Sequence, residues 1–443
     1  MASPIIRVSP YELHVIDPAF FEKLYRQDGR WDKYEWTYAG FGALGSSIGT
    51  ASHESHKARR QPLNPFFSKA KVAARHDIVE RDVYKLCDRV AQFAARGNIV
   101  NLGTSSSALT RDVACEFVLN KKYDFLGRED FDIGMTNALQ AGGHIWRITK
   151  HVPWFGPAMK SIPPNLLMKV ADEGTKGFFR FLQEHERDTK DLLVAAAATS
   201  PNDEAPRTIV HEIMDSDLPE ADKSFKRVLS VPFLFLCITQ NTRSVSRRWG
   251  TLSIEAMRPT STDHSNEEMA SDDVATVTGA GFETTASVMR RVLYHVYSNP
   301  EILRRLRAEL DEATSKPPGK TDVKTLEQLP YLTSLIMEDM RLSPAIGSRM
   351  ARIAPDRDLF YGDLRIPAGI PVGMTTILMH TDESLYPEPL CFDPERWTDV
   401  DARKSKDKTL GWAMLYMTLA ELVQRFDIDF VDAVATDFEM ESD

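Results

Sequence analysis

Glu283 and Thr284 put a carboxylate beside a hydroxyl in the run Val-Thr-Gly-Ala-Gly-Phe-Glu-Thr-Thr-Ala-Ser, residues 277–287. The run sits in a proline-free stretch, residues 272–298, that reads as one long helix. A glycine inside a helix costs roughly 1 kcal/mol relative to alanine, a penalty a helix tolerates where something flat must come close. Ala280 and Gly281 would open a shallow groove, and the Thr284 hydroxyl can bond back to the Ala280 carbonyl four residues earlier. Glu283 beside Thr284 then has the form of a proton-delivery pair. A glycine-marked helix crossing is the competing reading. A dinucleotide-binding loop is set aside, because no β-rich run precedes Gly279 and a third glycine is lacking.

Glu338 and Arg341, in residues 332–342, are three apart and so share one helix face. Arg396 lies in the run Phe-Asp-Pro-Glu-Arg-Trp, residues 392–397, a proline-punctuated loop rich in aromatics. A carboxylate held between two guanidiniums can be buried without being left unpaired, and would pin that loop onto the helix. Two arginine-bearing segments, residues 56–68 and 348–355, add Arg60 and Arg352, each able to offer a forked donor to a ligand carboxylate. Solvated faces are the alternative for both.

In this order the segments resemble the cytochrome P450 family, and the resemblance runs from about residue 5 to residue 430. It implies a mainly α fold with a small β region. It also implies that Ala280, Gly281, Glu283 and Thr284 belong to the oxygen-activating helix and that Glu338, Arg341 and Arg396 form a structural triad. Arg60 and Arg352 match haem-propionate partners, with His56 at a position often held by tryptophan. Flanking runs at residues 5–15, 279–287 and 379–387 look like the fungal branch that includes trichodiene oxygenase-like enzymes of secondary metabolism. The implied reaction is hydroxylation or epoxidation of a lipophilic terpenoid or polyketide, with haem b as cofactor and electrons from NADPH through a reductase. The family setting is the cytosolic face of the endoplasmic reticulum membrane.

The family places a Phe/Gly/Arg/Cys loop after Arg396, whose thiolate is the axial ligand of haem iron and favours cleavage of the oxygen–oxygen bond. Here residues 398–410 contain no Phe, Gly or Cys. Residues 410–416 resemble the helix that follows the ligand, so Thr409 stands in the cysteine's slot and no metal ligand is assigned. A threonine hydroxyl cannot supply the same electron push. The four cysteines are Cys87, Cys115, Cys237 and Cys391; Cys391, near the relevant loop, reads as a buried small hydrophobe, and His380 as a satisfied structural histidine. Residues 229–270 look like an insertion. Together these departures suggest a mis-spliced or degenerate version of a complete enzyme, with a catalytically inactive relic or binding protein as the alternative.

A net charge of −10 argues against nucleic acid as partner. The matching segments interlock along residues 1–443, which points to one domain. No membrane anchor is expected: the chain enters a strand-like run at residue 5, and its longest apolar run, residues 228–238, is too short to span a bilayer. A soluble or peripheral protein is therefore expected. The basic run Arg403, Lys404, Lys406 and Lys408 would face a reductase or simply solvent. Helices are expected at residues 78–95, 300–310 and 410–425, the second opened by Asn299-Pro300-Glu301, and short strands within residues 5–15 and 359–376. Aromatics in residues 33–49 and 154–177, among them Trp36, Tyr38, Phe41, Trp154 and Phe155, suit an apolar pocket or the core. Two motifs are decoys. Gly45-Ser46-Ser47-Ile48-Gly49 fits a nucleophile elbow, but no βα repeat surrounds it. His53 and His56 are three apart rather than four, which reads as a helix start, not a zinc site.

Overall fold

The computed structural model describes residues 4–26, 28–39, 46–140, 151, 168–169, 171–198, 207–218, 269–315, 322–343, 347–398 and 409–431. In chain order the strands are β1 (Ile5–Ser9), β2 (Glu12–Val15), β3 (Asp32–Lys33), β4 (Arg352–Ile353), β5 (Leu359–Tyr361), β6 (Leu364–Ile366) and β7 (Pro371–Gly373). The first helices that matter to the site are α1 (His53–Arg60), α2 (His76–Ala95), α3 (Leu102–Leu119), α4 (Glu173–Ala198) and α5 (Ile209–Met214). They are followed by α6 (Met269–Ala280), α7 (Glu283–Ser298), α8 (Pro300–Thr314), α9 (Pro330–Leu342) and α10 (Leu410–Arg425). The chain is thus mainly helical with a small β region, as its sequence implied.

Two compact units emerge. The first holds residues 1–34, 64–131 and 278–443, the second residues 35–63 and 132–277. The expected insertion, residues 229–270, lies outside the described residues except for its last two, which begin α6. The basic run at residues 403–408 also lies outside them, as do Phe41, Trp154 and Phe155.

In the first unit a five-stranded sheet has the order β1-β2-β7-β4-β3. β1 and β2 form an antiparallel hairpin with Ile5 opposite Val15, β2 runs parallel to β7, and β4 joins β7 and β3 antiparallel. β5 and β6 make a separate hairpin turning at Gly362, whose φ of 56° is left-handed and costs glycine nothing. Val15, Phe20, Trp31, Ile366 and Val372 form the core against the sheet. The helical part packs α3 on α2 and α7, and α10 on α2, α7 and α8.

Local sequence explains the helix boundaries. Asn299 Oδ1 accepts the N–H of Glu301 and of Ile302, and Pro300 occupies the first turn, where its missing donor is harmless. The helix then buries Ile302, Leu306 and Leu310 along one face. α3 is capped by Asn101, which accepts from Thr104 N, and stops at Asn120 in the left-handed region, φ 55°. α10 is buried from Trp412 to Val423. Among the described residues no helix is long and apolar enough to cross a membrane.

One expected element differs. Residues 272–298 are two helices, not one: the i−4 ladder breaks at Gly281 and Phe282, whose amides bond instead to Thr278 O and Gly279 O, each at 3.2 Å. The tighter three-residue turn is where the Thr284 hydroxyl competes for the Ala280 carbonyl.

Candidate functional site

Glu338 is the best-organised charge in the first unit. It is fully buried on α9 and takes five donors. Arg341 clamps it with Nε to Oε2 at 2.9 Å and Nη2 to Oε1 at 2.7 Å. Asp393 N–H reaches Oε1 at 2.9 Å, Arg396 Nε reaches the same oxygen at 3.3 Å, and Trp397 Nε1 reaches Oε2 at 2.9 Å. Burial pushes the Glu338 carboxyl up, but the bonds from Arg341, Asp393 and Trp397 outweigh it and leave the carboxyl below its usual range. The expected carboxylate between two guanidiniums is present. Sequence reasoning missed the indole and the Asp393 amide.

Arg341 spends its remaining donors on the loop. Nη1 donates to His380 O and Pro389 O, both at 2.6 Å, and Nη2 to Cys391 O at 3.2 Å. Arg396 Nη2 takes Glu388 O at 3.0 Å, where Glu388 sits at a left-handed φ of 48°. His380 Nδ1 donates to Arg341 O at 2.8 Å, so it is the satisfied structural histidine its context indicated. Cys391 is a correction. It is exposed rather than buried: Arg341 holds its carbonyl inward at 3.2 Å, leaving the side chain on the solvent side of the loop.

At the break between α6 and α7, Thr284 Oγ1 donates to Ala280 O at 2.8 Å, as its spacing suggested. Ala280 and Thr284 are both exposed and lie one turn apart. Gly281 differs from its neighbour: a Cβ built there would meet the Ala114 Cβ of α3 at 3.0 Å. Glycine at this position therefore serves a close helix crossing, while Ala280 beside it stays exposed. Glu283 also turns away from Thr284. Its Oε2 meets Arg290 Nη1 at 3.3 Å, and that guanidinium also donates to Ser107 Oγ at 3.2 Å. Glu283 Oε1 is buried without a hydrogen-bond partner among the described residues. The pair is adjacent in sequence but points to two environments.

His56 and Arg60 lie on α1 in the second unit, four apart and therefore on one face, both partly buried. Arg352 belongs to the first unit. Its Nη1 donates to Arg26 O at 3.2 Å and its guanidinium lies over the Tyr25 ring at 5.2 Å. Trp36, in the second unit, packs edge-on against His151. In the nucleophile-elbow decoy, the Ser47 hydroxyl donates to the buried Asp273 Oδ2 at 3.1 Å. Among the described residues no cluster of His, Cys, Asp or Glu could hold a metal ion.

Thr409 is the N-cap of α10, exposed, with no side-chain cap bond. Gly411 behind it is pressed to Thr285, whose Oγ1 would lie 3.2 Å from an added Cβ. Residues 399–408 lie outside the described residues and contain neither cysteine, histidine, methionine nor tyrosine. A threonine hydroxyl suits hard cations rather than a haem-thiolate iron.

The cytochrome P450 family model matches residues 237–412. The chain is 32% identical to the cytochrome P450 monooxygenase tpcC of Cochliobolus heterostrophus over 447 residues, 97% of this chain and 77% of that protein. The chain belongs to the cytochrome P450 family. It is also 31% identical to the cytochrome P450 monooxygenase MO6277 of Ascocoryne sarcoides, over 97% of this chain and 80% of that protein. Against the cytochrome P450 monooxygenase TRI4 of Fusarium sporotrichioides the figure is 25%, over 99% and 78% respectively. A cytochrome P450 implies a haem and a redox partner.

Proposed function

We propose that this chain is a cytochrome P450 scaffold of fungal secondary metabolism, shaped to oxidise a lipophilic terpenoid or polyketide, whose oxygen chemistry is impaired. The supporting observation is the contrast between two sites in one unit. The Glu338 hub takes five donors, whereas Thr409, which the resemblance puts in the axial cysteine's slot, is an N-cap with no side-chain cap bond. In a complete version haem b supplies oxygen activation and a reductase supplies electrons from NADPH. In that version Arg60, His56 and Arg352 are the proposed propionate side, Ala280 and Thr284 line the open helix face, and Glu283 is a proton carrier held by Arg290. The whole of residues 1–443 acts as one domain, with residues 229–270 an insertion, and any membrane contact is peripheral. A non-catalytic binding protein with this fold is the second reading, favoured by the same threonine.

Two measurements test the proposal. Haem stoichiometry and the ferrous–CO spectrum of purified protein are expected to show no thiolate-ligated haem; a thiolate signature would overturn impairment. Sequencing the mature transcript across the codons for residues 229–270 and 397–411 then separates a faulty reading frame from true loss. A Phe/Gly/Arg/Cys loop in the transcript would show that the native protein is a complete monooxygenase.

A further inference from the structure

Asp273 is a buried carboxylate, 4% exposed, that the proposed chemistry does not use. It lies in the second turn of α6 and accepts two hydrogen bonds from one residue far away in sequence. Ser47 N–H donates to Oδ1 at 2.6 Å and Ser47 Oγ–H to Oδ2 at 3.1 Å. One serine thus satisfies both oxygens. The turn that carries it is closed on itself: Thr50 N–H and Oγ–H both donate to Ser46 O, at 3.1 and 2.9 Å. Ser46, Ser47 and Thr50 are all buried. Arg59 Nη1 of α1 then donates to Thr50 Oγ1 at 2.7 Å. A continuous chain of bonds therefore runs from α6 through Ser47 and Thr50 to the helix that carries His56 and Arg60.

We propose that Asp273 is a positioning residue, a latch that fixes residues 46–60 on α6 and so sets the arm that presents His56 and Arg60. The functional half of this rests on the cytochrome P450 reading above; the latch itself does not. A buried carboxylate is costly unless each oxygen is paired, and here Ser47 pairs both. Burial raises the Asp273 carboxyl to about 6 although the Ser47 bonds and the charges of Arg59 and Arg60 pull it down. The uncharged amide of asparagine, which accepts from Ser47 N–H and donates to Ser47 Oγ, is therefore a good substitute. Alanine is not.

Hydrogen exchange followed by mass spectrometry on the full chain tests this without haem or substrate. Asp273→Ala is expected to raise exchange about tenfold or more in peptides covering residues 46–60, with residues 332–342 unchanged as the internal control. Asp273→Asn is expected to restore wild-type protection, whereas Asp273→Leu, which keeps side-chain volume without the hydrogen bonds, is expected to stay as loose as alanine. Should Asp273→Ala not fold, Ser47→Ala decides, with about a threefold rise over the same peptides. Unchanged exchange at residues 46–60 in Asp273→Ala or Ser47→Ala, or an asparagine variant as loose as alanine, would overturn the latch. Because the readout needs no cofactor, its failure is distinct from failure of the monooxygenase reading.

Discussion

The indole Nε1 of Trp397 donates to Glu338 Oε2 at 2.9 Å, on the oxygen that Asp393 and Arg396 leave to Arg341. The two oxygens are thereby shared between the helix and the loop, so neither element can move without unpairing a buried charge. Trp397 O in turn accepts from Ser334 Oγ at 3.1 Å, which ties the loop to α9 a second time.

Trp397→Phe keeps an aromatic ring, trims the bicyclic indole and removes the donor. The expected loss is about 1.5–3 kcal/mol, the range for a hydrogen bond to a charged group. Glu338→Ala should cost more, roughly 3–5 kcal/mol, because it strands Arg341 and Arg396 in the interior. Urea denaturation of the three proteins checks the order; equal stability of wild type and Trp397→Phe would remove the indole from the hub.

Gly281→Ala sets two effects against each other. Alanine lowers the entropy of the unfolded chain, a gain of about 0.4–1 kcal/mol where the backbone accepts it. Here the new methyl lies 3.0 Å from Ala114 Cβ, and overpacking of that kind costs about 1–3 kcal/mol. Net destabilisation is expected; Ala114→Gly in the same chain relieves the contact but itself costs about 1 kcal/mol as a helix-interior glycine, so the two losses should be less than additive. A double-mutant cycle in chemical denaturation reads the coupling directly.

How much of this was legible in the sequence depends on where the determining atoms lie. The Thr284 to Ala280 bond and the Glu338–Arg341 pair are set by spacing along one helix, and Arg396 by a loop with its own proline. The break at Gly281 was hidden because Ala114, which presses on it, is far away in sequence. α3 left no signal either. It is buried on all sides, with Ser105, Ser107, Arg111 and Asp112 inside it, so it has no polar face from which to read a 3.6-residue period. The Asp273–Ser47 bond joins residues 226 apart, and nothing local in either segment announces it.

Glu309 of α8 caps a helix other than its own. Its two oxygens accept Tyr331 N–H and Leu332 N–H, each at 2.8 Å, at the start of α9, where the N-cap residue Leu329 has no side chain able to do so. Glu309→Ala is expected to cost about 1–2 kcal/mol, as for loss of a good N-cap. Glu309→Gln, with one acceptor left, should fall between. Thermal unfolding monitored by circular dichroism gives the ranking, and an alanine variant as stable as wild type would contradict the cap.

His295 supplies a pH test with a definite sign. Its ring stacks on Phe392 with centroids 4.1 Å apart and planes 9° from parallel. Burial, followed by the charge of Arg291, lowers its pKa to about 4, while Glu338 raises it only in part. The folded state therefore holds the neutral ring, and the unfolded chain, with a pKa near 6.5, binds the proton more readily. Stability from this group is fully present above about pH 6.5 and is lost as pH falls toward 4. Between pH 7 and pH 5 the loss comes to about 2 kcal/mol from one histidine. His295→Phe preserves the stack and removes the titration, so its urea midpoint should shift less over that interval than that of wild type. Identical shifts in the two proteins would show that His295 is not held neutral by its surroundings.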